Sequence, residues 1–204
     1  MSSAAPAENV DPLAFRRTMG LFATGVTVLA TDTPKGIVAM TANAISSVSL
    51  VPPLVLACVD HQARFAAYLA DGLSYTINFL RDDQEVLSRY FAGGWRDLPA
   101  PEFRFEPWSG APRLVGALGA VRCEMRRVSE GGDHWIVVGR VVALHEGVAP
   151  WNPLLFYAGR YRRLAPATPT APPERWGPDG VALYHDTWDA QEQPPVSETR
   201  EPPE

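Results

Sequence analysis

Two long strand-like runs separated by a glycine pair constrain the fold of this chain more than any other feature. Residues 113–127 and 135–144 are rich in apolar side chains, and Gly131-Gly132 lies between them. Two such runs joined by a short glycine-containing loop predict a β-hairpin. Consecutive strands that pair in this way are antiparallel, because a parallel pair needs a long crossover connection. The chain is therefore predicted to be built on antiparallel sheet.

Shorter strand patterns precede this hairpin. Strands are predicted over residues 26–31, 37–40, 54–59 and 73–79, and a Thr-Pro-Lys-Gly turn at 33–36 separates the first two. The third of these is a continuous apolar run, which is typical of a buried strand. Because strands predominate and several connections are short, the pattern favours a mainly β fold, a small closed or split antiparallel barrel with peripheral helices.

Three short helices are predicted at the periphery. The first begins at Asp11-Pro12, an N-cap followed by a proline in the first turn, and ends at Gly25. Its apolar positions fall on one helical face: Phe15, Met19 and Phe22. The second covers residues 64–70, and the third begins at Asp82 and Glu85, which resemble a capping box.

Composition excludes several classes of protein. The chain has 204 residues, of which 46% are hydrophobic, enough for one domain with a real core. Its formal net charge of −5 argues against a general nucleic-acid binder. Neither an apolar run long enough to span a membrane nor a signal-peptide pattern is visible, so a cytoplasmic protein is expected. Two cysteines, Cys58 and Cys123, exclude a disulfide framework, and four scattered histidines predict no metal site.

The charge distribution predicts three segments. Residues 1–10 are expected to be flexible, and residues 11–164 to form the folded domain. Residues 165–204 carry 9 of the 20 prolines and a net charge of −6, so they are expected to form an acidic, proline-rich tail that cannot build its own core. Several aromatic residues lie within 175–188 of this tail and are termed the aromatic island. Either the island docks on the domain or on a second subunit, or it belongs to a disordered tail and has no structural role.

Two polar segments are candidates for binding. Residues 41–49, Thr-Ala-Asn-Ala-Ile-Ser-Ser-Val-Ser, follow a strand and offer hydroxyl, amide and backbone N–H groups suited to a phosphate or a planar heterocycle. An ordinary Ser/Thr-rich loop has the same composition. Gly132-Asp133-His134 begins a strand, where the histidine either contacts a ligand or is a turn residue oriented by Asp133. No dinucleotide fingerprint, P-loop or hydrolase elbow is present in the sequence.

In combination, these and other segments resemble the flavin reductase family over about residues 11–164. The matching segments are Gly25-Val-Thr-Val-Leu-Ala30, Ala39-Met-Thr-Ala-Asn43, Ser46-Ser-Val-Ser49, Pro52-Pro-Leu-Val55, Gly132-Asp-His134 and Gly159-Arg-Tyr161. The resemblance implies the FMN-binding split β-barrel fold, usually as a homodimer with flavin near the subunit interface. It also implies an NAD(P)H:flavin oxidoreductase that supplies reduced flavin to a separate flavin-dependent monooxygenase.

The resemblance also carries over site residues. Eight positions match the family's flavin-binding segments: Thr41, Ala42, Asn43, Ser46, Ser47, Cys58, Asp60 and Asn78. His134 corresponds to the residue associated with the reduced nicotinamide and is the candidate catalytic residue, in a positioning role. The chain departs from the family pattern at Ala44 and Ile45, where serine and phenylalanine are frequent.

The cofactors expected from the resemblance are FMN or FAD, with NADH or NADPH as co-substrate. Hydride transfer from nicotinamide to flavin is chemistry that the cofactors already possess, so no strong general base is required. Two alternatives stay open at this stage. One is a flavin-binding electron carrier or partner module without nicotinamide turnover, and the other is a flavin-dependent oxidase or oxygenase.

Overall fold

The computed structural model describes residues 10–70, 72–94, 98–148 and 152–165. It contains two α-helices, α1 (Pro12–Met19) and α2 (Glu85–Phe91), and one 3₁₀ helix (Arg64–Tyr68). The strands are β1 (Thr24–Gly25), β2 (Thr27–Thr33), β3 (Gly36–Ala42), β4 (Ile45–Leu50), β5 (Pro53–Asp60), β6 (Ser74–Phe79), β7 (Phe105–Trp108), β8 (Ala111–Leu114), β9 (Gly119–Gly131), β10 (His134–Glu146), β11 (Leu155–Tyr157) and β12 (Arg160–Arg162).

Seven of these strands form the main antiparallel sheet, in the order β3-β2-β6-β9-β10-β5-β4. The two edge strands, β3 and β4, are consecutive in sequence and are joined by only Asn43 and Ala44. In a flat sheet, six strand spacings would separate these edges by about 29 Å, whereas the link can reach only about 11 Å. The sheet must therefore curl until its edges meet, which makes it a barrel that is split between β3 and β4.

Two hydrophobic clusters fill the interior. The larger contains Phe65 of the 3₁₀ helix and side chains from six strands of the barrel, among them Leu29, Val59 and Tyr75. The smaller includes Leu114 and packs strand β2 against α2 and the segments beside it. Residues 27–31 of β2 are all buried, and the neighbouring side chains of Val28 and Leu29 point to opposite faces, into the smaller and the larger cluster respectively.

Two smaller sheets lie beside the barrel. Strands β7 and β8 pair with each other, and β1, β11 and β12 form a three-stranded sheet in the order β1-β11-β12. The latter is termed the small sheet below. Backbone hydrogen bonds at Val26, between β1 and β2, connect the small sheet to the barrel. The Val26 N–H donates to the oxygen of Leu154, just before β11, at 3.1 Å, and the N–H of Leu80, just after β6, donates to the Val26 oxygen at 3.0 Å.

The predicted mainly β fold and its antiparallel hairpin are confirmed. Strands β9 and β10 pair from Gly131 opposite His134, so Gly131 ends β9 and Gly132 and Asp133 form the turn. The expectation of one strand over residues 113–127 is wrong in detail. Arg113 belongs to β8, and Gly116 turns the chain at a φ of +78° before β9 begins. A left-handed backbone of this kind favours glycine.

The helices differ from their predicted bounds. Asp11 caps α1 as expected, but the helix ends at Gly20 rather than Gly25. None of its side chains is buried in this chain, so the apolar face that includes Phe15 and Met19 does not face the core. The N-cap of α2 is Gln84, whose side chain makes no capping hydrogen bond to the helix, so the expected capping box is absent.

Two further expectations are corrected. Residues 64–70 form a 3₁₀ helix over Arg64–Tyr68 rather than an α-helix. The 54–59 strand is not buried on both faces, because buried and half-buried side chains alternate along β5. The predicted flexible segment at 1–10 lies almost entirely outside the described residues, as do the predicted tail beyond residue 165 and its aromatic island at 175–188.

The packing of Gly139 generates a stability prediction. A Cβ at this position would overlap the Tyr75 hydroxyl and approach the Cys123 Cβ to 3.1 Å. We expect Gly139→Ala to lower the free energy of unfolding by about 1–3 kcal/mol, the usual cost of overpacking. Thermal melting checks this, and adding Tyr75→Phe should recover part of the loss. An unchanged melting temperature in the single variant would contradict the packing.

Candidate functional site

A cleft of about 1220 Å³ runs along the barrel edge strand β3. Strand β3 forms one wall, the end of β5 with the 3₁₀ helix forms a second, and the end of α2 with the segment before β7 forms the third. Its lining residues are Ile37, Ala39, Met40, Thr41, Asp60, Gln62, Ala63, Arg64, Tyr90, Phe91, Ala92, Gly93, Phe103, Arg104 and Phe105. Ligand pockets usually measure about 300–1,000 Å³, so this cleft has room for a nucleotide cofactor.

Four aromatic rings form the wall contributed by α2 and by the segment that leads into β7. The Phe91 centroid lies 5.1 Å from that of Tyr90, 5.0 Å from that of Phe103 and 5.9 Å from that of Phe105. These distances and the edge-to-face angles are the preferred geometry of aromatic pairs. The cleft is therefore bounded by an apolar aromatic surface of the kind on which a planar ring can pack.

Charged side chains lie at the opposite wall and at the mouth. Asp60 ends β5, and its Oδ1 accepts from the Gln62 backbone N–H at 2.7 Å, which holds the turn into the 3₁₀ helix. Arg64 is exposed and makes no ion pair with any residue in the described ranges. Arg104 lies 3.7 Å from Glu106, with 69% of its side chain exposed. Arg64 is thus a cation available to an anionic ligand.

The segment 41–49 is not the loop that its composition suggested, because most of it is strand. Thr41 and Ala42 end β3, and only Asn43 and Ala44 connect it to β4. Thr41 lines the cleft and donates its hydroxyl hydrogen to the Ser88 carbonyl oxygen at 2.6 Å. Ala42 is buried in the core, and Asn43 is exposed, its Nδ2 donating to Thr24 Oγ1 at 3.1 Å.

The next three predicted residues lie on the far side of the split. Ser46 and Ser47 are exposed on edge strand β4, opposite Leu56 and Val55 of β5. Cys58 is half-buried on β5, and its backbone N–H donates to the Ala44 oxygen at 3.0 Å. These three residues do not line the cleft described above, but the short link keeps them beside its β3 wall.

His134 is brought next to Asp60 by strand pairing. The two residues are register partners in β10 and β5, so His134 lies at the end of the barrel where Asp60 borders the cleft. Its side chain is 40% exposed, and its Nδ1 lies 2.7 Å from Asp133 Oδ1. That hydrogen bond lowers the pKa of Asp133. The contact with Asp133 is the turn interaction considered above, and it leaves Nε2 of His134 for a ligand.

Asn78 occupies a position that does not suit a direct ligand contact. It is fully buried on β6, its Nδ2 donates to the Val28 oxygen and Thr76 Oγ1, both at 2.9 Å, and its Oδ1 accepts from the Leu114 N–H at 2.9 Å. Three hydrogen bonds within the core use both ends of the amide. The geometry therefore favours a structural part for Asn78, which ties β2, β6 and β8 together.

Sequence reasoning missed several residues of the cleft. The sequence predicts only helices around Arg64 and around Tyr90 and Phe91. It gives no expectation for Phe103. Periodicity gives no signal for them, because an apolar stripe on a helix looks the same whether it packs in a core or lines a cleft. His61 follows Asp60 but does not line the cleft, and its ring lies 4.6 Å from that of Trp135.

Comparison with known proteins agrees with this architecture. The family model described as "Flavin reductase like domain" matches residues 19–165. The NADH-dependent FAD reductase of Streptomyces globisporus is 40% identical over 173 residues, covering 80% of this chain and 93% of that protein. The flavin-dependent monooxygenase reductase subunit HsaB of Rhodococcus jostii is 34% identical over 193 residues, covering 91% of this chain and 95% of that protein.

A solved structure gives the same result. The NADH:FAD oxidoreductase SgcE6 of Streptomyces globisporus, in complex with NAD and FAD fragments, matches with a TM-score of 0.68 at 39% identity, covering 78% of this chain and 98% of that one. The fold and the site together define the class of this protein. It is a split antiparallel barrel with a nucleotide-sized cleft beside an edge strand. Within that class, the chain belongs to the flavin reductase family.

Two further findings concern other functions. Within the described ranges, no group of three or more His, Cys, Asp and Glu side chains is placed to hold a metal ion. No helix in the part of the chain that the structure describes is long and apolar enough to cross a bilayer.

The two thiols generate a prediction about reactivity. Burial raises the pKa of Cys58 above its usual value and that of Cys123 to about 12. Because the thiolate is the nucleophile, both thiols should react with iodoacetamide more slowly than a free thiol at pH 7.5, and Cys123 should stay unmodified in the folded protein. The rate at Cys58 should rise with pH as its thiolate forms. Peptide mass spectrometry measures both sites, and rapid modification of Cys123 without unfolding would contradict its burial.

Proposed function

We propose that this protein is an NADH-dependent flavin reductase that transfers hydride from NADH to FMN or FAD and supplies the reduced flavin to a separate monooxygenase. The names of its relatives support the activity, since they include an NADH-dependent FAD reductase and a monooxygenase reductase subunit. The observation that carries the proposal is geometric. Thr41 and Asp60 line one nucleotide-sized cleft, and His134 is the register partner of Asp60 on the next strand, which supports the proposal.

The donor set of this cleft fits a flavin. A flavin combines a planar ring with polar edges and a phosphate-bearing chain. We assign the ring to the wall of β3 and the aromatic side chains, where Thr41 and Asn43 supply hydroxyl and amide groups. We assign the phosphate to exposed Arg64, with Asp60 beside it in the cleft. Ser46, Ser47 and Cys58 lie outside the cleft, and we assign them to the chain of the flavin from the other side of the split. Both FMN and FAD carry these groups, so the donor set suits either flavin.

His134 is assigned to the reduced nicotinamide. Bound flavin and reduced nicotinamide would themselves supply the hydride-transfer chemistry. What the chain supplies is orientation and exclusion of water, because near-contact geometry lowers the barrier to transfer. Asp133 orients the imidazole through Nδ1, so that Nε2 can meet a polar group of the nicotinamide dinucleotide. No residue needs to remove a proton from carbon.

A homodimer is part of the proposal. Large apolar side chains are exposed on and around α1 and on edge strand β4: Val10, Leu13, Phe15, Met19, Leu21, Phe22, Val48, Leu50 and Val51. Contiguous exposed apolar surface usually marks an interaction site. A second copy of the chain would cover it, and sedimentation of the full chain tests this. A cytoplasmic location accords with partnership with a soluble monooxygenase.

The deciding experiment mixes the purified full chain with NADH and with FMN, FAD or riboflavin. We expect the oxidation of NADH, followed by the absorbance of the nicotinamide at 340 nm, to require added flavin. Under anaerobic conditions the added flavin should become reduced. Adding a flavin-dependent oxygenase should then couple the reduced flavin to product. Flavin binding without NADH oxidation would instead support the electron carrier. Hydroxylation of an organic substrate without a second protein would support the oxygenase.

The role of His134 gives a separate prediction. His134→Ala should lower kcat/KM for NADH ten- to a hundredfold, about 1.4–2.7 kcal/mol of transition-state stabilisation, with a smaller effect on the flavin dissociation constant. Steady-state kinetics and fluorescence titration of flavin measure the two effects. His145→Ala on the same strand is the matched control, because its ring lies against Trp108 rather than beside the cleft. Equal losses in both measurements would exclude a nicotinamide-specific role.

A further inference from the structure

The small sheet makes two contacts with the segment that bears Thr41 and Asn43. The first is direct. Thr24 on β1 is fixed by pairing with Phe156 of β11, and its Oγ1 accepts from the Asn43 Nδ2 at 3.1 Å. Asn43 is itself exposed in the two-residue link between β3 and β4. This hydrogen bond is the one side-chain contact that the described residues give to its amide.

The second contact passes through α2. The Tyr161 hydroxyl on β12 lies 2.8 Å from Ser88 Oγ, and Ser88 is fully buried. The carbonyl oxygen of the same serine accepts the Thr41 hydroxyl at 2.6 Å. The Arg89 guanidinium lies 4.8 Å above the Tyr161 ring, and the Phe156 ring packs against it at 5.3 Å. Tyr161 is therefore held on several sides while its hydroxyl anchors α2 beside Thr41.

We propose that the small sheet positions the two polar side chains on either side of Ala42 for flavin binding, with Thr24 acting on Asn43 and Tyr161 acting through Ser88 on Thr41. This inference rests on the proposed function and deepens it. It gives a part to Gly159-Arg-Tyr161, a segment of the resemblance that does not line the cleft.

The chemistry of the two contacts explains what positioning achieves. A hydroxyl has one hydrogen and two lone pairs. Because Thr41 donates its hydrogen to Ser88, it offers only lone pairs to a ligand in the cleft. Thr24 takes one hydrogen of the Asn43 amide, which fixes the plane of that group and leaves its oxygen as an acceptor. Thr41 is thereby set as an acceptor, and Asn43 is held with its oxygen and its second N–H directed by the fixed amide plane before a ligand arrives. Less ordering cost therefore falls on binding.

The experiment measures flavin affinity in three variants of the full chain. Tyr161→Phe removes one hydroxyl but keeps the ring under Arg89, and Thr24→Val removes a hydroxyl without changing side-chain size. We expect each to raise the flavin dissociation constant and the KM for flavin three- to tenfold, while the KM for NADH changes less than twofold. Thr24→Ser, which keeps the hydroxyl, should restore the flavin affinity.

Two controls separate positioning from general support of the fold. Tyr157→Phe changes a tyrosine of the same small sheet that is outside this network, and it should leave flavin affinity unchanged. Ser88→Ala and Tyr161→Phe should not be additive, since both break the same contact. A purely structural role would lower the melting temperature and the folded fraction without selectively raising the flavin dissociation constant.

The outcomes are distinguishable from those of the proposed function. Unchanged flavin affinity in folded Tyr161→Phe and Thr24→Val overturns this inference alone, as does an equal loss in Tyr157→Phe. A wild-type chain that neither binds flavin nor oxidises NADH overturns the proposed function, and this inference with it. If Tyr161→Phe does not fold, Thr24→Val and Thr24→Ser decide, because Thr24 is only half-buried on a two-residue strand.

Discussion

A link of two residues between the edges of a seven-stranded sheet is the constraint on which this structure depends. Asn43 and Ala44 join β3 to β4, and they cannot span a flat sheet, so the sheet has to close on itself. Closure leaves a split rather than a continuous ladder, because β3 and β4 are joined by the link and not paired with each other. A ligand site beside a split is exposed enough for exchange and is bounded by ordered strands.

The polar side chains near the split are already hydrogen-bonded within the protein, and this limits the chemistry that they can perform. Thr41 is bound to Ser88, Asn43 to Thr24, Asp60 to the turn that follows it and His134 to Asp133. Such an arrangement holds hydrogen-bonding groups and one imidazole in place. Hydride transfer between two bound cofactors requires alignment more than proton transfer, and the site is suited to alignment.

Much of the fold follows from local patterns, and the failures have physical causes. The hairpin around Gly131-Gly132 was predictable because both strand periodicity and turn chemistry are local. The strand at residues 45–50 was not, since its serines look like a loop and only pairing with β5 makes them a strand. The resemblance implies a flavin contact for Asn78, and the structure adds that its amide hydrogen-bonds to β2, to Thr76 of its own strand and to β8, contacts that no local pattern reveals.

The sequence by itself determined the antiparallel β class, the turn positions and, through motifs in register, the resemblance to flavin reductases. These depend on residues near one another in the chain or on their order along it. Only the tertiary structure decided that the cleft has an aromatic wall, that Arg64 faces it and that the small sheet reaches Asn43 and Thr41. Each of these features involves residues that are far apart in sequence. Those residues become neighbours only because the sheet curls and α2 packs against it.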